Sequence, residues 1–195
     1  GRGRCAHRVR PDGRMGQRRR PLTDTGVILE GFGGCGGWAE ALKALGLVGV
    51  GVEIDDAACR TRMAAGHPTI RADVSTFPVA HLAGKVVGVI ASPPCQMFSA
   101  AGKGTARLVM AELAQAISDA LAGRRNRASH RRRMARLLMS TSSGFMPKAT
   151  RQVRADAAWA TVRNASLVIE PARWVEATRP EWVALEQVPP VLPLW

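Results

Sequence analysis

Short apolar runs recur along the chain, and between them apolar positions fall three or four residues apart. Val27 to Leu29 form the first run, glycines follow, and Trp38–Leu45 then carry helical spacing. "LVGVGVEID" (47–55) reads as a second buried strand, and "DAACRTRMAAGH" (56–67) as a short helix. "TIRADV" (69–74) and "VVGVIAS" (86–92) read as third and fourth strands. "TARLVMAELAQAISDALA" (105–122) has the spacing of an amphipathic helix, "NASLVIEPARWVEATRP" (164–180) that of another, and "EWVALEQV" (181–188) that of a fifth strand. Alternation of strand and helix predicts an α/β fold, a mostly parallel sheet with helices on both faces.

Two stretches break the pattern. Residues 1–24 are basic and lack periodicity, and are expected to be a disordered tail or an over-extended start. Residues 123–158 lose periodicity and concentrate positive charge, which predicts a basic, mobile insertion within a domain spanning 25–195. A chain of 195 residues fits one domain with a sizeable core.

Composition changes this picture little. No run reaches the ~18 apolar residues of a membrane span, and the arginine-rich start leads into no secretory apolar core. A soluble, cytoplasmic protein is expected. The net charge of +13 invites a nucleic-acid partner. However, only Lys43, Lys85, Lys103 and Lys148 are lysines, and an arginine skew with abundant Ala and Gly can equally reflect a GC-rich coding sequence. The strip 124–136 is either a phosphate-binding surface or a solvated loop. Cys5, Cys35, Cys59 and Cys95 form no Cys-x-x-Cys pair, so a zinc site is not expected and free thiols are.

Chemistry concentrates at the predicted carboxyl ends of the strands, where open parallel sheets bind ligands. "GFGGCG" (31–36) satisfies G-x-G-x-x-G between a strand and a helix. Glycine permits the sharp turn and the close approach of backbone to ligand. Glu53 ends the next strand, twenty positions after Gly33, where its carboxylate can accept hydrogen bonds from ribose hydroxyls. This pattern predicts an adenosine-type cofactor and leaves nicotinamide and S-adenosylmethionine both open. Asp73, at the tip of the third strand, is placed to bond an adenine amino group, with Ile54 and Val74 covering the ring faces, or else to cap its own loop. In "ASPPCQMFS" (91–99), Cys95 follows two prolines at a strand exit. Such a rigid mount suits a thiolate nucleophile, although a buried structural cysteine would fit the same spacing. Glu186, in "ALEQVPP" (184–190), brings a carboxyl to the same edge, where a partly desolvated glutamate can deliver a proton.

In this order the pieces resemble the DNA (cytosine-5) methyltransferases. "FGGCGG" (32–37) is similar to that family's F-x-G-x-G-G loop, "VEID" (52–55) to its acidic strand end, and "ADV" (72–74) to its adenine-contacting motif. "PPCQMFS" (93–99) matches the Pro-Cys-Gln nucleophile loop, and "EQV" (186–188) stands where Glu-Asn-Val is usual. The resemblance implies a Rossmann-like fold that uses S-adenosylmethionine, with Phe32, Gly34, Gly36, Glu53, Ile54, Asp73, Val74, Pro94 and Leu167 at the cofactor. It implies Cys95 as nucleophile, Glu186 as the partner of cytosine N3, and Gln96 and Ser99 as shapers of the substrate loop. The implied partner is double-stranded DNA with the target cytosine turned out of the stack.

There are departures. Glu30-Gly31 replaces the usual Asp-Leu, and Gln187 replaces Asn. The Gln-x-Arg-x-Arg motif, target recognition region and final helix of the family do not follow, so the fold is expected to be incomplete at its C-terminus, with target recognition supplied by a missing half. Three alternatives stand beside this reading. One is a remnant that binds DNA or cofactor without turnover. The others are an RNA cytosine-5 methyltransferase and a dinucleotide-binding oxidoreductase.

Overall fold

The computed structural model describes residues 26–98, 108–140 and 148–194. The predicted tail at 1–24, Ser99 and the first residues of the predicted 105–122 helix lie outside them. Five strands form one parallel sheet: β1 (Val27–Gly31), β2 (Gly49–Glu53), β3 (Thr69–Arg71), β4 (Val86–Ala91) and β5 (Trp182–Leu185). Their spatial order is β3-β2-β1-β4-β5, and every pair is parallel. Crossing from β3 past β1 to β4 reverses the direction of winding, and a crevice opens between β1 and β4 at that switch point.

Helices cover both faces, as the alternating pattern predicts. α1 (Gly37–Ala44) sends Leu42 against Ile28 and Ile90 on one face. α2 (Asp56–Ala64) starts on Asp55, whose carboxylate accepts from the Ala58 amide. The opposite face packs Leu29, Val52 and Val89 against the fully buried Trp174 of α6 (Glu170–Thr178). Alternation along β1 sends Ile28 and Glu30 to one side and Leu29 to the other. Beyond this layer, α3 (Met110–Leu121), α4 (Arg127–Ser140) and α5 (Lys148–Ala165) pack around Leu113, Met134 and Val162.

The segment 123–158, expected to be a basic, mobile insertion, carries α4 and most of α5. Arg, Ala, Met and Leu are good helix formers, so propensity favoured helix where apolar spacing was faint. Polar anchoring replaces part of the usual apolar stripe. His130 is buried between Asp119, at 2.9 Å, and Glu112, while Met134 and Ala135 supply the apolar contact. The predicted helix 164–180 is also divided. α5 ends at Ala165, a short 3-10 turn spans Ser166–Ile169, and α6 follows with Pro171 in its first turn.

Among the described residues no helix is long and apolar enough to cross a membrane.

Candidate active site

The glycine turn connects β1 to α1 and is built from unusual backbone. Phe32 and Gly34 have φ of 59° and 50°, in the left-handed region. For Phe32, which carries a side chain, that conformation costs about 1–3 kcal/mol and must be imposed by its surroundings. The Gly33 amide donates to Val52 O at 3.2 Å, and the Gly36 amide to Gly33 O at 3.2 Å. Gly36, with φ 105°, caps α1, and a Cβ there would press on the His67 ring.

Glu53, at the end of β2, is oriented by backbone donors. Its Oε1 accepts from the Ile54 and Asp55 amides at 2.7 and 2.8 Å, and its Oε2 from the Gly34 amide at 2.8 Å. By lone-pair count Oε2 keeps one acceptor position, so a single hydroxyl is the natural complement rather than a pair. Asp73 meets the loop-capping expectation. Its Oδ1 takes the Ser75 amide at 2.8 Å and caps its own turn, while Oδ2 has no partner among the described residues.

These groups border a cavity of about 540 Å3 at the carboxyl edge of the sheet. Phe32, Glu53, Ile54, Asp73, Val74, Pro94 and Leu167 line it, and Gln96 joins them from the cysteine loop. Gly34 and Gly36 do not line the cavity. They shape the turn that does.

The cysteine loop leaves β4 and is held from three sides. Trp38 Nε1 donates to Ser92 Oγ at 2.8 Å, the Gln187 side-chain amide donates to Pro93 O at 2.6 Å, and Phe98 is fully buried in the helical core. The Phe98 amide closes a turn onto Cys95 O at 2.9 Å. Cys95 is half-buried at that turn. β5 pairs with β4 up to Ala91↔Leu185, and the Glu186 amide continues the ladder to Ala91 O at 3.1 Å. The two loops therefore leave the sheet side by side, the Cys95 loop from β4 and the Glu186 loop from β5. Glu186 is exposed, so the partial burial expected of it is not found.

Sequence reasoning missed the fourth wall of the cavity. Arg131 from α4 and Arg163 with Asn164 from α5 also line it. Burial, then repulsion from Arg127, holds the Arg131 pKa below its usual value, with Glu170 and Asp73 acting in the other direction. The Arg131 Nε is buried without a hydrogen-bond partner among the described residues. Glu170, fully buried, binds Arg127 and, at 2.7 Å, Arg173, and Arg173 in turn donates to Val74 O at 2.7 Å. This network fixes the Asp73 loop to α6 and α4. The signal for it was the spacing of His130, Met134 and Leu138 at i, i+4 and i+8, hidden among arginines.

Among the described residues no group of His, Cys, Asp and Glu is arranged to hold a metal ion. No curated protein matches the chain. The family profile described as C-5 cytosine-specific DNA methylase matches residues 27–113, from β1 through the glycine turn, Glu53, Asp73 and the Cys95 loop into α3. Over that segment the chain is similar to the C-5 cytosine-specific DNA methylase family.

Proposed function

We propose that the chain carries the cofactor-binding and catalytic half of an S-adenosylmethionine-dependent DNA (cytosine-5) methyltransferase. Cys95 is its nucleophile and Glu186 its proton-handling group. The observation that supports this reading is the adjacency of the β4 and β5 exits, which carry Cys95 and Glu186. The Cys95 loop borders the cavity through Pro94 and Gln96, although neither Cys95 nor Glu186 itself lines it.

The cavity fits the methyl donor chemically. Glu53 Oε2 offers an acceptor for a ribose hydroxyl, Asp73 Oδ2 one for an adenine amino group, and Ile54, Val74 and Leu167 offer apolar cover for the ring. When bound there, S-adenosylmethionine supplies an electrophilic methyl group to carbon 5 of the base.

The protein's part begins with the target cytosine turned out of the duplex, at a cost of a few kcal/mol. The Cys95 thiolate adds to C6, forming an S–C6 bond and moving the C5–C6 π pair toward C5. Glu186 holds a proton at N3, which drains charge from the ring as the sulfur adds. After C5 is methylated, a base takes the C5 proton, the C5–C6 double bond re-forms, and Cys95 leaves as thiolate. The prolines keep the sulfur on a rigid strand exit, so little of the approach is left to loop motion.

A duplex carrying 5-fluorocytosine tests this, because fluorine at C5 blocks the final elimination and traps the adduct. Wild-type chain is expected to form a denaturation-resistant complex. Cys95→Ala abolishes that complex while keeping affinity for S-adenosylhomocysteine, and Glu186→Gln slows its formation by about 100-fold or more, the usual scale for a general acid. Adduct formation by the alanine variant would sink the assignment.

A further inference from the structure

Among the described residues the largest fully buried charged side chain is Arg62, on α2, with no exposed surface, facing Glu30 of β1, 1 % exposed. Its Nη1 lies 3.3 Å from Glu30 Oε2 and donates to the Gly33 carbonyl at 2.8 Å. Its Nε donates to Thr69 Oγ1 at 3.2 Å, which fixes the plane of the guanidinium.

This pair is costly to keep. Burying two charges is offset only when geometry and hydrogen bonding are complete, and an apolar pair of similar volume is often as stable or more so. Here completion fails, because Glu30 Oε1 and Arg62 Nη2 are buried without a hydrogen-bond partner among the described residues. β2 also gives up side chains to seat it. A Cβ at Gly49 would overlap the Glu30 carboxylate, and one at Gly51 the guanidinium. Stability therefore does not account for the arrangement, whereas the bond to Gly33 O does. Gly33 lies between Phe32 and Gly34, two of the three left-handed residues of the turn. Phe32 lines the cavity, and the Gly34 amide orients Glu53.

We propose that Arg62, held by Glu30 and Thr69, is a positioning residue that sets the shape of the glycine turn for ligand binding. The ligand's identity rests on the function proposed above; the hold on the turn does not.

The test uses the full chain with the paired substitution E30L/R62M, which removes both charges at similar volume. Thermal unfolding, calorimetric titration with S-adenosylhomocysteine, and amide hydrogen exchange at residues 33–36 are measured. The variant is expected to unfold no lower than wild type, yet to bind at least about ten-fold more weakly, the loss of one hydrogen bond from a charged donor, and to exchange faster at 33–36. Wild-type affinity with unchanged exchange would overturn the inference and make the pair a packing feature. If E30L/R62M does not fold, Thr69→Val decides, since it frees the guanidinium plane while leaving Glu30 paired. Weaker binding and faster exchange at 33–36 support the role, and no change in either overturns it. Failure of the wild type to bind S-adenosylhomocysteine would instead overturn the cofactor reading, and the exchange data alone would then decide the role of Arg62.

Discussion

The side-chain amide of Gln187 donates a 2.6 Å hydrogen bond to the carbonyl of Pro93. The strand exit that carries Glu186 thus grips the loop that carries Cys95, and each loop sets the position of the other. The Gln187 Oε1 also accepts from the Val188 amide at 3.3 Å, which orients the side chain from its far end.

Gln187→Ala is expected to slow adduct formation on a 5-fluorocytosine duplex by about ten-fold, the scale of one neutral hydrogen bond lost from a positioning contact. Affinity for S-adenosylhomocysteine should stay within about two-fold, a margin well below the loss of any such bond. Rapid-quench trapping and calorimetry separate the two. Equal losses in both would mean that Gln187 supports the whole edge rather than the cysteine loop.

Arg131 and Arg163 place positive charge on the wall of the cavity that Glu53 and Asp73 also line. A cationic wall disfavours a sulfonium relative to the neutral thioether of the same shape. Replacing both arginines by glutamine is therefore expected to shift the affinity ratio toward S-adenosylmethionine over S-adenosylhomocysteine by about two- to five-fold at low salt, from charges several ångströms away in a partly solvated site. Raising the salt concentration shrinks the shift. An unchanged ratio at low salt would mean that the guanidiniums point their charge away from the ligand.

Asp119 on α3 bonds Asn126 and Arg124 ahead of α4, His130 on α4 and Gln115 on α3 itself, and these bonds, in that order, hold its carboxyl far below the usual carboxylate range. A depressed carboxyl adds stability that is fully present above the unfolded value of about 3.9, and that is lost as pH falls below it toward the folded value. Thermal unfolding of the wild type should therefore steepen below about pH 4. Asp119→Asn should start lower at neutral pH and fall less over the acid range. Parallel curves for the two proteins would show that the α3–α4 link does not depend on this charge.

Much of the architecture was legible because parallel strands buried on both faces read as apolar runs such as "VVGVI". The four motif segments were legible for a local reason: a glycine turn, a strand-end acid and a proline-framed cysteine carry their chemistry within a few residues. α4 was not legible, since its buried contacts combine the bonds of His130 to two carboxylates on α3 with a narrow apolar contact at Met134 and Ala135, set among arginines. Arg62 was hidden as well. In the sequence it is one arginine among many, and only its complete burial against Glu30 distinguishes it.

By itself the order of residues determined the strand and helix alternation and the placing of the candidate residues Glu53, Asp73, Cys95 and Glu186 at or just beyond the carboxyl ends of strands, because strand ends and turns are local consequences of side-chain pattern. Only the tertiary structure decided that Glu53 is already bonded to three backbone amides, that Gln187 reaches Pro93, that arginines from α4 and α5 close the cavity, and that a buried ion pair holds the glycine turn. Those are contacts between segments far apart in sequence, and they depend on how the helices pack across the sheet.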